Sequence, residues 1–252
     1  METAYGGVRV IVAAHKAYPM PQDAAYLPVH AGAAGAKEPL PYASDAQGET
    51  ISARNGLYCE LTALYWAWKN LPAPALGLAH YRRHFAGARD RRSTIAGGEI
   101  AAMLERVPVI LPKKRHYLID TRRGQFIRAH GAAAYDALRT VMGERQPGYL
   151  PAFDRSMART SGHCFNMFIM RREQADAYCA WLFPLLFETE ARMRAAGQEI
   201  APRLFGFLAE RMLDSWVETN GLDYAELPVI YTEGQNWLKK GTAFLLRRMR
   251  RA

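Results

Sequence analysis

The apolar positions of this chain fall into two rhythms. Val8-Arg9-Val10-Ile11-Val12-Ala13-Ala14 is a nearly unbroken apolar run that stops at His15-Lys16, the pattern of a strand covered on both faces. Tyr18-Pro19-Met20-Pro21 disfavours a helix directly after it, so a loop follows. Residues 31–55 are rich in Ala, Gly, Pro, Ser and Asp and read as a long excursion of the kind that carries function. Over residues 56–70 the rhythm changes: Leu57, Leu61, Leu64, Tyr65 and Trp68 recur at helical spacing, with Asn55 as cap and Pro72 and Pro74 as stops. Strands are predicted at 76–81 and 107–111, with a helix over 98–106 between them. Residues 124–156 are helical in pattern but broken by Gly131, Gly143, Pro147 and Pro151 into short helices. A strand at 164–170, two longer helices at 173–195 and 203–220, and a last strand at 227–231 complete the chain. The alternation predicts an α/β fold, an open and mostly parallel sheet of about five or six strands flanked by helices.

Half of the 252 residues are hydrophobic and no internal repeat is evident, which predicts one core and one domain, residues 1–236. Residues 237–252 form a basic amphipathic tail with six positive charges, no acid and several large apolar residues. Such a tail suits an anionic membrane surface, each basic residue adding about 1 kcal/mol; the alternative is a disordered basic end. The N-terminus carries no basic lead into a long apolar run, and no stretch reaches the roughly 18 apolar residues of a membrane span. Cys59, Cys164 and Cys179 lack CxxC spacing and read as buried free thiols of a reducing compartment. The expected location is cytoplasmic, peripheral on the inner face of the cell membrane. A net charge of +9 points to polyanions: nucleic acid, anionic lipid or nucleotide-linked substrates.

In open α/β sheets ligands bind beyond the carboxyl ends of the strands. Three predicted strands end in basic clusters: His15-Lys16, His80-Tyr81-Arg82-Arg83-His84, and Pro112-Lys113-Lys114-Arg115-His116. Guanidinium forks and lysine point charges at one edge suit a diphosphate, and would stabilise a departing nucleoside diphosphate. The carboxylate pair that holds a metal on such a group, Asp-x-Asp, does not occur; Asp45 is isolated and Asp120 stands beside Arg122 and Arg123. Cationic side chains are therefore expected in the metal's place, with a requirement for Mn2+ or Mg2+ left open. The seven histidines show no zinc spacing on a predicted helix, and Gly-x-Ser-x-Gly, Gly-x-Gly-x-x-Gly and the P-loop are all missing. For general-base work, Glu60 lies near the start of the first helix. Glu210 lies in Phe205-Gly206-Phe207-Leu208-Ala209-Glu210-Arg211, either as a carboxylate of raised pKa or as a surface pair with Arg211.

Several blocks carry a resemblance. His15-Lys16-x-Tyr18-x-Met20-Pro21, Asn55-x-x-Tyr58-Cys59-Glu60-Leu61-Thr62-Ala63-Leu64-Tyr65-Trp66-Ala67-Trp68-Lys69-Asn70, Gly77-Leu78-Ala79-His80-Tyr81-Arg82-Arg83, Leu111-Pro112-Lys113-Lys114, Asn166-Met167-Phe168-Ile169-Met170 and the Glu210 block stand in this order over residues 8–232. Together they resemble the bacterial capsular and exopolysaccharide glycosyltransferase family long catalogued as a domain of unknown function. The resemblance implies a GT-A-like fold and sugar transfer from a nucleotide-sugar donor, with galactofuranose from UDP among the activities of relatives. It implies His15 and Lys16 near the nucleotide, and Tyr58 and Glu60 beside the donor pocket. His80, Tyr81, Arg82 and Arg83 would take the strand end where metal-using GT-A enzymes keep their acidic motif. Lys113, Lys114 and Arg211 complete the expected nucleotide-sugar set. Asn166 would face the acceptor, and Glu210, His80 and Arg82 are the expected catalytic residues, Glu210 as base. The expected partners are a UDP-sugar, a growing and lipid-linked glycan and an anionic membrane surface, with no tightly bound cofactor and no specific nucleic acid. Rival readings are a nucleic-acid-binding module using basic residues interleaved with Tyr81, Phe85 and Tyr117, and a noncatalytic scaffold of a polysaccharide assembly complex.

Overall fold

The computed structural model describes residues 4–87, 90–117 and 119–233. The first apolar run forms β1 (Arg9–Ala14), and β2 (Tyr26–His30) and β3 (Ala43–Ser44) follow. The predicted helix over 56–70 is split into α1 (Asn55–Tyr58) and α2 (Leu61–Asn70), because Cys59 between them takes a left-handed backbone, φ 52°. Next come β4 (Ala75–His80), β5 (Arg83–Phe85), α3 (Gly97–Leu104), β6 (Val109–Pro112) and β7 (Arg115–His116). The interrupted region folds into α4 (Arg122–His130), α5 (Ala133–Arg145) and α6 (Leu150–Ala158). The chain continues through β8 (Ser161–Gly162), β9 (Phe168–Arg171), α7 (Arg172–Ala195), α8 (Leu204–Thr219), β10 (Tyr224–Leu227) and β11 (Val229–Tyr231).

Nine strands form one sheet in the order β10-β6-β9-β4-β1-β2-β3, with β5 bonded to β4 and β11 to β5. β1 is parallel to β2 and β4, with Ile11 opposite Leu27 on one side and Leu78 on the other. β6 is parallel to β10. β9 alone runs backwards in the middle, antiparallel to both β4 and β6. The carboxyl ends of β1, β4 and β6 therefore share an edge with the loop that enters β9. Both faces of the sheet are covered. Ile11, Ala13, Leu76 and Leu78 pack into a large cluster with the helices α1, α2 and α4–α8, whereas Val10, Val12, Ala14 and Ala79 turn to a smaller one with Ile100 and Leu104 of α3. Alternate residues of one strand thus serve opposite layers, and each buried Leu or Ile contributes about 1.5–3 kcal/mol.

The α/β class and the mostly parallel sheet agree with the pattern; the strand count does not. β2 and β3 escaped because they are short, and β2 carries Pro28. The predicted strand over 164–170 begins only at Phe168, since Phe165 and Asn166 are left-handed. The run at 227–231 is two strands broken at Pro228, one paired with β6 and the other with β5. Asp45, read as isolated, is fully buried and ties the 31–55 excursion together: it accepts from the Gly32 and Ala33 amides at 2.8 and 3.0 Å and from the Ser52 hydroxyl. No helix among the described residues is long and apolar enough to cross a membrane. The basic tail at 237–252 lies outside the described residues.

Candidate active site

Four non-glycine residues have positive φ among the described residues: Cys59, Phe165 (73°), Asn166 (54°) and Arg203 (67°). Each such residue costs on the order of 1–3 kcal/mol and persists only where its surroundings hold it. Here they hold one another. The Arg203 amide, just before α8, donates to the Gly56 carbonyl in α1 at 2.8 Å. Asn166 Nδ2 donates to Glu60 Oε1 at 2.7 Å and to the Gly206 carbonyl at 3.0 Å. The break between α1 and α2, the loop into β9 and the start of α8 are thereby locked into one frame. His80, the last residue of β4, has Nε2 at 2.5 Å from the Phe165 carbonyl and 4.0 Å from Glu60 Oε1. A carbonyl only accepts, so Nε2 carries the proton and donates. Burial lowers the His80 pKa, with Arg83 and Arg82 adding to the effect against the pull of Glu60. A neutral imidazole that braces the Glu60–Asn166 frame is a positioning group.

Glu210 is partly buried on α8, and its carboxylate has no hydrogen bond or ion pair among the described residues. Burial raises its pKa above the ordinary value; the charge of Arg211 works against this and that of Glu60 with it. The surface pair with Arg211 is not formed. Arg211 is buried and turns instead to the Tyr117 hydroxyl at 2.7 Å and Gln125 Oε1 at 2.6 Å. A carboxylate kept without a partner in a partly dry place is more basic than one in water, which is what proton abstraction requires.

Beside this frame lie the cations. Tyr81 is buried, and around its ring stand His15 edge-on at 5.1 Å, Tyr18 at 5.3 Å, Lys16 Nζ at 5.5 Å and the Arg82 guanidinium at 5.0 Å. The first two basic strand ends are therefore one assembly pinned on a tyrosine. Burial lowers the His15 pKa, and the charges of Arg82 and Lys16 lower it further. Lys16 and Arg82 share a carboxylate, Glu233, at 3.6 and 3.5 Å. The strap that brings Glu233 in is fixed by Thr232, whose amide donates to the Arg82 carbonyl at 3.2 Å. Arg83 lies 4.3 Å over the Phe165 ring, and its charge acts on Glu60 and Glu210. His84 is buried, and burial drops its pKa to about 4, leaving it neutral.

Two expectations are corrected. Tyr58 is fully buried, stacked on Phe205 at 4.9 Å and donating to Glu190 at 2.8 Å, so it is a core residue under α1 rather than a pocket wall. The third basic cluster does not join the other two, because β9 is inserted between β6 and β4; two strand spacings, about 10 Å, intervene. Lys113 is exposed, and Lys114 Nζ donates to the Tyr224 hydroxyl at 3.0 Å in a separate cavity. Arg203 and Glu233 were missed by sequence reasoning; Arg115, read within the third basic cluster, is exposed and its charge reaches Glu210. Arg203 lies 5.1 Å over the Phe207 ring and its charge reaches Glu60 and Glu210. Only its place, directly after Pro202 and before an apolar helix, hinted at it. Among the described residues no three His, Cys, Asp or Glu side chains converge in a way that could hold a metal ion.

Residues 9–221 match the domain of unknown function DUF4422. The chain is also similar to a solved structure, that of the WbbM bifunctional glycosyltransferase without ligand, with a TM-score of 0.79, 25% sequence identity and coverage of 90% of this chain. The match spans 46% of that protein, so this chain corresponds to less than half of its length. No curated protein matches the chain. With the family match running through nearly every element of the sheet and its helices, the protein belongs to the DUF4422 family and shares its α/β fold with part of a glycosyltransferase.

Proposed function

We propose that this chain is a glycosyltransferase that moves a sugar from a UDP-sugar to a hydroxyl of a growing, lipid-linked surface glycan. The observation that carries the reading is the Glu210 carboxylate, unpaired among the described residues and of raised pKa, with the charge of Arg83 acting on it from the strand end that also presents Arg82 and, across Glu233, Lys16. In the reaction an acceptor hydroxyl oxygen bonds to the anomeric carbon as the bond from that carbon to the diphosphate oxygen breaks. Glu210 takes the hydroxyl proton, and Arg82 and Lys16 receive the charge that gathers on the departing diphosphate. The diphosphate replaces Glu233 as their counter-charge. Glu60, fixed by Asn166 and braced by His80, borders the sugar. No tightly bound cofactor is called for; whether Mn2+ or Mg2+ assists is part of the test. The tail at 237–252 would keep the enzyme on the anionic membrane that holds its acceptor.

The nucleic-acid reading loses its stacking surface, since Phe85 and Tyr81 are buried and the Tyr117 hydroxyl is engaged by Arg211. The test is a thermal-shift and hydrolysis panel of UDP, GDP, CMP and dTDP sugars, UDP-galactofuranose included, with and without Mn2+. UDP-sugars should stabilise the protein and be slowly hydrolysed, and Arg82→Ala should weaken both. If no nucleotide sugar is bound or cleaved and Arg82→Ala changes nothing, the reading fails.

A further inference from the structure

A cavity of about 450 Å³ lies one turn further along α8 from Glu210, among Lys114, Arg159, His163, Asp214, Glu218 and Tyr224. Its floor is a buried charge network. Arg122, fully buried, donates to Asp214 Oδ2 and the Ser156 hydroxyl, and its other nitrogen donates to the Glu210 carbonyl at 3.0 Å. His163, also buried, bonds Asp214 through Nδ1 and Glu226 Oε1 through Nε2 at 2.9 Å. Gly162 passes so close that a Cβ there would stand 2.5 Å from the Arg122 guanidinium carbon. Side chains held this tightly make a rigid base for a ligand.

The rim differs from the floor. Tyr224 is one of two large hydrophobic side chains exposed among the described residues, and it stands edge-on to His163 with ring centres 5.3 Å apart. Lys114 spends one N–H on the Tyr224 hydroxyl and keeps two. Arg159 shares Glu218 at 2.9 Å with Arg155 at 2.8 Å, leaving further donors and lone pairs. Asp214 is answered by Arg122 and Glu218 by Arg155 and Arg159, so the site keeps little unshared positive charge for a phosphate. Val217 and Leu222 add apolar wall beside these polar groups, so the lining is mixed rather than wholly polar or wholly apolar. A ligand suited to it both donates and accepts hydrogen bonds and carries a flat apolar face for the tyrosine, which describes a sugar ring.

We propose that this cavity is a glycan subsite that holds a sugar unit of the acceptor, stacked on Tyr224 and hydrogen-bonded to Lys114, Arg159 and Glu218. Its relation to the reaction rests on the reading of Glu210 as base. Asp214 follows Glu210 by one helical turn, about 5.4 Å, and Arg122 touches both, so the cavity floor and the backbone of the base are one rigid piece. The subsite binds the chain behind the accepting hydroxyl and aligns it.

The experiment is saturation-transfer NMR on the full chain with methyl glycosides of common hexoses and 6-deoxyhexoses and the corresponding disaccharides. Disaccharides should give signals at millimolar concentration that fall at least five-fold in Tyr224→Ala and return in Tyr224→Trp, with circular dichroism establishing that both variants fold. Absence of binding by every saccharide, or equal binding by Tyr224→Ala, overturns the proposal. Nucleotide-sugar hydrolysis is measured on the same wild-type preparation: its absence beside Tyr224-dependent saccharide binding would overturn the transferase reading and leave the subsite standing.

Discussion

Glu210 and Asp214 stand one turn apart on α8, and their surroundings give them opposite characters. Asp214 accepts from Arg122, from the His163 amide and from the His163 ring. Burial alone would raise its pKa, but the His163 bond and the Arg122 charge outweigh it and hold the group below its ordinary value. Glu210 has no such partner, so burial prevails and its pKa rises. The same functional group on the same helix titrates in opposite directions according to whether a cation hydrogen-bonds it, since the charges of Arg211, Arg83 and Arg115 reach Glu210 without overcoming burial. Arg122 decides the matter: its guanidinium binds the Asp214 carboxylate but only the backbone oxygen of Glu210.

The comparison can be broken at either end. Glu210→Gln should lower sugar transfer by about 10²–10⁴-fold with UDP binding retained, measured by product formation and calorimetry; a variant of near wild-type rate would remove Glu210 as base. Arg122→Ala removes the donor to three acceptors, the buried Asp214 carboxylate among them, and should lower the unfolding free energy by about 3–5 kcal/mol, read from urea denaturation. The two carboxylates should also respond to pH with opposite sign. A raised pKa contributes stability that is present below the unfolded value and lost as pH rises through the folded one, so Glu210→Gln should gain on wild type as pH climbs above about 4. A lowered pKa contributes stability present above the unfolded value and lost as pH falls through the folded one, so the deficit of Asp214→Asn should be full at neutral pH and close in acid. Urea midpoints across about pH 3–8 test both curves at once, and parallel curves would show that the two groups are not distinct. The smallest effect is at the cations: Glu233→Gln frees Lys16 and Arg82 from a half-exposed pair worth about 0.2–1 kcal/mol and should tighten UDP binding about two- to five-fold.

Much of this contrast was legible as residue types and little of it as partners. The apolar runs of β1 and β4 and the stripes of α7 and α8 announced themselves, because burial on two faces or on one stripe fixes composition. The strand-end residues His15, Lys16, Tyr81 and Arg82 were also legible, since the topology of parallel strands assigns them an edge. Lys113 and Lys114 were misplaced for the reason that makes the fold distinctive. β9 is inserted antiparallel, and no local pattern says that a strand from 168–171 will part β4 from β6. The frame of Cys59, Asn166 and Arg203 depends on left-handed backbone in residues that are not glycine, which spacing cannot reveal. Arg122 read only as a neighbour of Asp120; that it is fully buried follows from α4, α6 and α8 closing over it.

Glu233 makes the chain its own tethered counter-ion. A carboxylate delivered by an attached strap competes at an effective concentration on the order of millimolar or above, whatever the buffer contains. A lone chloride or a single exposed phosphate has to beat that local anion for each cation separately. A diphosphate, the ligand proposed above, would bring two linked charges to Lys16 and Arg82 together. In a protein with a charge of +9, Lys16 and Arg82 are thus already occupied, and under the proposed function they would give up that internal partner only for a ligand that engages both.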